Sequence, residues 1–216
     1  MAGTNSEIVY FDCEGRENYE DVLRIAQRRA MQDDISAVIV FSGSDEGAIE
    51  AARMFQGDEL PPLTVVTYRA ESRGYREGED GEAATFPIGL SADAEVSLGT
   101  PAVRAAMPFS NEVVVLRYAD PKLSGIREAL RLLGGGLVLV VQAVLMACDA
   151  GRVREGQRVV AFAADTAIVA TAAHSDTVFF PDVGMEISEV LCKPSTFSIS
   201  RDRGLKIEEP TEELPI

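Results

Sequence analysis

Two stretches, SAVIVF at residues 36–41 and LTVVTY at residues 63–68, are apolar almost without a break. A strand with one wet face alternates apolar and polar residues, whereas a strand apolar on both faces must be covered on both. Helical periodicity flanks the first of them. Tyr19, Val22, Leu23, Ala26 and Ala30 recur at helical spacing before it, and Ala48, Ala51, Ala52 and Phe55 after it. Parallel neighbours need a crossover, and a helix supplies it while covering the sheet. The chain is therefore predicted to be α/β, a three-layer α/β/α sandwich with a mostly parallel sheet.

Further elements follow the same logic. EIVYF at residues 7–11 is a first strand, and Asn18, with Asp21 three places on, is the expected N-cap of the first helix. Residues 69–95, rich in glycine and charge, are expected to be a surface loop or lid with at most one helical turn. VSLGTP at residues 96–101 is taken as a strand with its loop, and EVVVLRY at residues 112–118 as a further strand. Asp120 and Pro121 then suit an N-cap and first helical position, with Ile126, Ala129, Leu130 and Leu133 as that helix's buried stripe. QRVVAFA and DTAIVATA give two more strands and EISEVLC the last. Residues 1–194 are expected to form one domain. Residues 195–216, with four glutamates and two prolines, are expected to fray as an acidic tail.

Seventeen residues, 132–148, carry no charge, against about 20 for a spanning helix. Three glycines and Gln142 interrupt the run, so a helix buried in a protein core is expected. With 35 acidic and 20 basic residues the net charge is −15, which disfavours nucleic acid and anionic membranes as partners. Only Lys122, Lys193 and Lys206 are lysines. That composition suits a salt-rich cytoplasm and equally an Arg- and Ala-rich chain from a GC-rich genome. Cys13, Cys148 and Cys192 are too few and too scattered for a disulfide framework or a metal site, and the amino terminus lacks a signal-peptide pattern. A cytoplasmic protein is expected, with homo-oligomerisation left open.

The segment VIVFSGSDEGAIEAARMF, residues 38–55, joins a strand to a helix through small residues. Ser42, Gly43, Ser44 and Gly47 would present free amides to an anion such as the phosphate of a small molecule. Ligands in parallel sheets collect at the carboxyl ends of strands. Thr67, Gly99, Thr100, Asp165, Thr166 and His174 lie at strand ends and join the candidate set. Asp45 and Glu46 sit inside the same loop and would repel an anion unless turned outward or met by a cation. Arg69, Arg73 and Arg76 could close over one. Asp149 ends a helix, where the dipole disfavours an acid, so a specific partner is expected. Two other functions stay open: an enzyme acting on a small metabolite through His174 or Cys13, and a sensor or structural domain that has lost its ligand.

FDCEGREN, AVIVFSGSDEGAIEAAR, RLLGGGLVLVVQAVLMACDAG, VREGQRVVAFAADTAIV and AAHSDTVFFPDVGMEISEVLCKP, in this order, resemble the stand-alone pyruvate kinase carboxyl-terminal-like family over residues 7–194. The resemblance implies a domain related to the effector-binding domain of pyruvate kinase, whose corresponding loop grips a sugar phosphate. It also implies flavin mononucleotide (FMN) as a ligand, and it implies no reaction. Two departures accompany Asp45 and Glu46: the glycine-rich turn usual before ADTA is missing after Ala163, and Val138 and Gln142 stand where a Lys and a Glu are common.

Overall fold

The computed structural model describes residues 7–77, 83–109 and 121–197. Seven strands, β1 (Val9–Phe11), β2 (Ala37–Phe41), β3 (Leu63–Tyr68), β6 (Ala102–Ala105), β7 (Arg158–Phe162), β8 (Ala167–Thr171) and β9 (Glu186–Pro194), make one sheet in the order β1-β9-β8-β7-β2-β3-β6. All neighbours pair in parallel except β8, which runs against both β7 and β9. The protein is thus α/β with a mixed, mostly parallel sheet.

Among the described residues there are five α-helices, α1 (Tyr19–Ala30), α2 (Asp45–Met54), α3 (Ala92–Ser97), α4 (Pro121–Arg131) and α5 (Gly135–Asp149), of which α1, α2 and α5 lie on the sheet. The period of two along β2 divides the core. Val38 and Val40 pack with Val22, Ala26, Ala48 and Ala51 of α1 and α2, while Ile39 and Phe41 pack with Val140, Val144 and Leu145 of α5. Only Gly135, Leu139 and Asp149 of α5 are not buried, because a helix apolar all round finds its place only inside a core. That accounts for the uncharged run. Among the described residues no helix is long and apolar enough to cross a membrane.

Four expectations change. The charged stretch after β3 contains an antiparallel hairpin of β4 (Arg73–Glu77) and β5 (Ala83–Pro87). VSLGTP is the end of α3 and the turn into β6, not a strand, and Ser91 caps that helix by accepting the Ala94 amide. Asn18 makes no side-chain cap; a 3₁₀ turn precedes α1, and the Asn18 amide nitrogen donates to the Cys13 and Gly15 carbonyls instead. On α4, Ile126 and Leu130 pack on the core while Ala129 and Leu133 face out. The strand expected at residues 112–118, Asp120, the Arg76 side chain and residues 198–216 lie outside what is described.

Gly125 sits exposed in the middle of α4, and a Cβ added there meets no described atom within 4 Å. Gly125→Ala should stabilise the fold by about 0.5–1 kcal/mol, since glycine loses more backbone freedom in a helix than alanine. A higher urea midpoint with an unchanged slope checks this; an unchanged or lower midpoint contradicts it.

One ionic network ties the helical layer to the sheet. Arg29, near the end of α1, donates to both carboxylate oxygens of Asp34 at 2.8 Å and to both of Glu189 on β9 at 2.7 and 3.0 Å. Arg158 of β7 joins through Glu189 at 2.7 Å and Asp34 at 3.2 Å. The Arg29 side chain is only 10% exposed.

Candidate functional site

The chain leaves β2 towards β3 and β6 on one side and returns to β7 on the other. Such a switch opens a crevice at the strands' carboxyl ends. Two segments meet there: the β2–α2 loop, residues 42–44, and the β7–β8 turn, residues 163–166. A hollow lies on either side of Ala164.

The smaller hollow, about 210 Å³, is lined by Arg16, Tyr19, Ser42, Gly43, Ser44 and Gly47 among others. Ser44 adopts an extended conformation and caps α2, accepting the Gly47 amide at 3.4 Å. Buried Ser42 donates to the Ser44 carbonyl at 2.7 Å, which holds the loop shut on itself. Tyr19 donates to the Gly47 carbonyl at 2.7 Å, and burial pushes its phenol well above the ordinary range, so it stays a neutral donor. Among the described residues no acceptor meets the amides of Gly43, Asp45 or Glu46. The two acids do not fill that vacancy. Asp45 turns away to accept the Ser91 amide at 2.7 Å, and Glu46 pairs with Arg16 at 3.0 Å. Arg16 also reaches Ser44 Oγ at 3.3 Å and Glu50 at 3.4 Å. A cation therefore stands at the mouth of the loop.

The larger cavity, about 330 Å³, lies between the same crevice and α4–α5. Gly15, in the positive-φ region, aims its amide at Asp165 Oδ2 (3.1 Å), and Thr166 donates to Asp165 Oδ1 at 2.9 Å. Burial pushes the Asp165 carboxyl up, and these two donors offset part of the shift. Glu14 accepts the Gly135 amide at 3.4 Å, so a carboxylate of the chain itself faces the amino end of α5. Gly134, with φ of 109°, makes the turn into that helix. Gly136 lies directly against Asp165 and Thr166. Arg127 and Arg131 of α4 contribute the positive wall. Val138 lines the cavity, and buried Gln142 spends its amide on the Val138 carbonyl (3.1 Å) and the Phe109 amide (2.8 Å).

The crevice thus brings together Ser42, Gly43, Ser44, Gly47 and Asp165, with Thr166 buried behind Asp165, and not Thr67, Gly99, Thr100 or His174. Thr67 is fully buried beneath Gly89, with no partner for its hydroxyl among the described residues, and lines neither hollow. Thr166 is also fully buried and serves Asp165. Thr100 donates to the carbonyl of Leu63, the first residue of β3, which puts Gly99 and Thr100 at the opposite end of the sheet. His174 lies at that far end for a different reason: β8 runs backwards, so its exit lies beside the start of β7, where the Ala172 amide bonds Gln157. There His174 Nδ1 and the Ser175 amide meet Asp149, at 3.1 and 3.0 Å. They are the partner that acid required.

Cys13 lies on the crevice side but is exposed, and its thiol, hydrogen-bonded to Glu17 at 3.1 Å, is pushed up rather than activated. His174 and Cys13 do not share a cleft. Arg69 and Arg73 are exposed. Sequence reasoning missed Glu14, Arg16, Arg127 and Arg131; for the arginines, the available signal was helical spacing, which places Arg127 and Arg131 on one face. Among protein-family models, none matches the chain.

Proposed function

We propose that this chain is a binding domain for a phosphorylated small molecule, built on the pyruvate kinase carboxyl-terminal-like fold, with FMN as the first ligand to test. The observation that carries this reading is the β2–α2 junction: three amides without a described acceptor, beside Arg16, with Asp45 turned away to the Ser91 amide and Glu46 paired with Arg16 itself. Backbone donors and a guanidinium at a helix start suit a phosphate. The reading involves no covalent step.

One observation favours a second reading, a domain without a ligand. Glu14 occupies the amino end of α5, where an anion could otherwise sit. A thermal-shift screen separates the two. A ligand at one hundred times its Kd adds about 2.7 kcal/mol, which raises Tm by several degrees, and Arg16→Ala should weaken that ligand at least tenfold in calorimetry. Absorbance of added FMN should shift if flavin is the ligand. Indifference of Tm to FMN, nucleotides and sugar phosphates at low and high salt supports the second reading instead.

A further inference from the structure

We propose that the cavity on the far side of Ala164 takes the second end of the same ligand, and that this end is a carboxylate with a hydroxyl or ammonium group beside it. The ligand class is then a small phosphorylated hydroxy or amino acid. The inference rests on the phosphate reading above, because Ala164 lines both hollows and one molecule would lie across it.

The charges lining the cavity carry the argument. Arg127 and Arg131 stand one turn apart on α4 with side chains only 26% exposed. Both pair with one carboxylate, Glu128, Arg127 through Nε at 3.3 Å and Arg131 through Nη1 at 3.0 Å. A guanidinium has five donors. Among the described residues the Nη atoms of Arg127, and Nε and Nη2 of Arg131, meet no acceptor. These donors line the cavity on side chains that are still about a quarter exposed, so they can turn to a ligand, and a planar fork suits a carboxylate.

The rest of the lining sets the class. Buried Glu14 and Asp165 face the same space, and among the described residues Asp165 accepts from the neutral Gly15 amide and the Thr166 hydroxyl. A carboxylate has room for about four donors, so a hydroxyl or ammonium group is welcome there. A second dianionic phosphate would meet both acids and be repelled more strongly than a monoanion. An uncharged ring would leave the guanidinium donors unmatched. A volume of about 330 Å³ lies at the small end for ligand sites, which suits a small metabolite.

Calorimetry with 3-phosphoglycerate, O-phosphoserine and glycerol 3-phosphate tests this. The two acids should bind the wild-type chain at least tenfold tighter than glycerol 3-phosphate. In the double variant Arg127→Met/Arg131→Met all three should bind alike, at the glycerol 3-phosphate level, with a heteronuclear spectrum confirming the fold. Equal affinity of the three compounds in the wild type, or a preference that survives in the double variant, overturns the inference. The wild-type comparison decides even if the variant does not fold. Glycerol 3-phosphate shifting the Gly43 and Gly47 amide resonances while the acids gain nothing overturns the inference alone. Failure of all three to bind while FMN or a sugar phosphate raises Tm overturns the inference alone; failure of every phosphorylated compound overturns both readings.

Discussion

Arg29→Met should lower the thermal midpoint by roughly 4–12 °C, the consequence of losing about 2–3 kcal/mol when the enclosed centre of a part-exposed ionic network is removed. The side chain is nearly enclosed and donates four hydrogen bonds, so its loss leaves Asp34 and Glu189 facing each other with only the half-exposed Arg158 between them. The network also sets an acid limb. Hydrogen bonds from Arg29 hold both carboxyls below their ordinary values in the folded state. A carboxyl depressed by folding adds stability that is complete above its unfolded pKa, about 4, and is lost as pH falls through the folded value. Wild-type stability should therefore decline below about pH 4 more steeply than that of Arg29→Met. A midpoint within 2 °C of wild type, or parallel acid limbs, would show the network to be peripheral.

Gly136→Ala is expected to destabilise by about 3 kcal/mol, although alanine is the better helix former. The added Cβ would lie closer than 3.0 Å to Thr166 Oγ1 and Asp165 Oδ1. Both are short, buried side chains that cannot swing clear, so either α5 shifts or the Gly15–Asp165–Thr166 hydrogen bonds break. The urea midpoint should fall, and the Gly15 amide should exchange with solvent faster than the core of β2. A substitution that leaves both unchanged would mean that α5 does not bear on the crevice as described.

Fully apolar runs made the sheet legible, because SAVIVF has only one way to hide both faces. The β2–α2 loop was legible for a similar reason: few chemistries other than a strand-to-helix turn use Ser, Gly, Ser and Gly in six residues. Strand direction was not legible. Nothing in DTAIVATA says that β8 runs against its neighbours, and that one reversal carries His174 to the far end of the sheet while leaving Asp165 at the crevice. Gly99 and Thr100 went astray because α3 looked like a strand, which inverted the end of the sheet they serve. Arg127 and Arg131 were missed, since nothing in the spacing alone separates a guanidinium that lines a cavity from one that faces water. The charges of RGYREGED likewise hid a hairpin whose ladder is made by backbone groups alone.

The pairing of β1 with β9 has a consequence for how the protein matures. The Ser195 amide bonds the Phe11 carbonyl, and Thr196 reaches Asp12, across 184 positions of chain. During synthesis β1 must wait without a sheet partner until β9 has been made. The loop bearing Glu14, Gly15 and Arg16 hangs from that strand. Nascent chains stalled short of residue 186 would thus lack the strand that pairs with β1, and the wall of the crevice formed by Glu14, Gly15 and Arg16 would be left untethered.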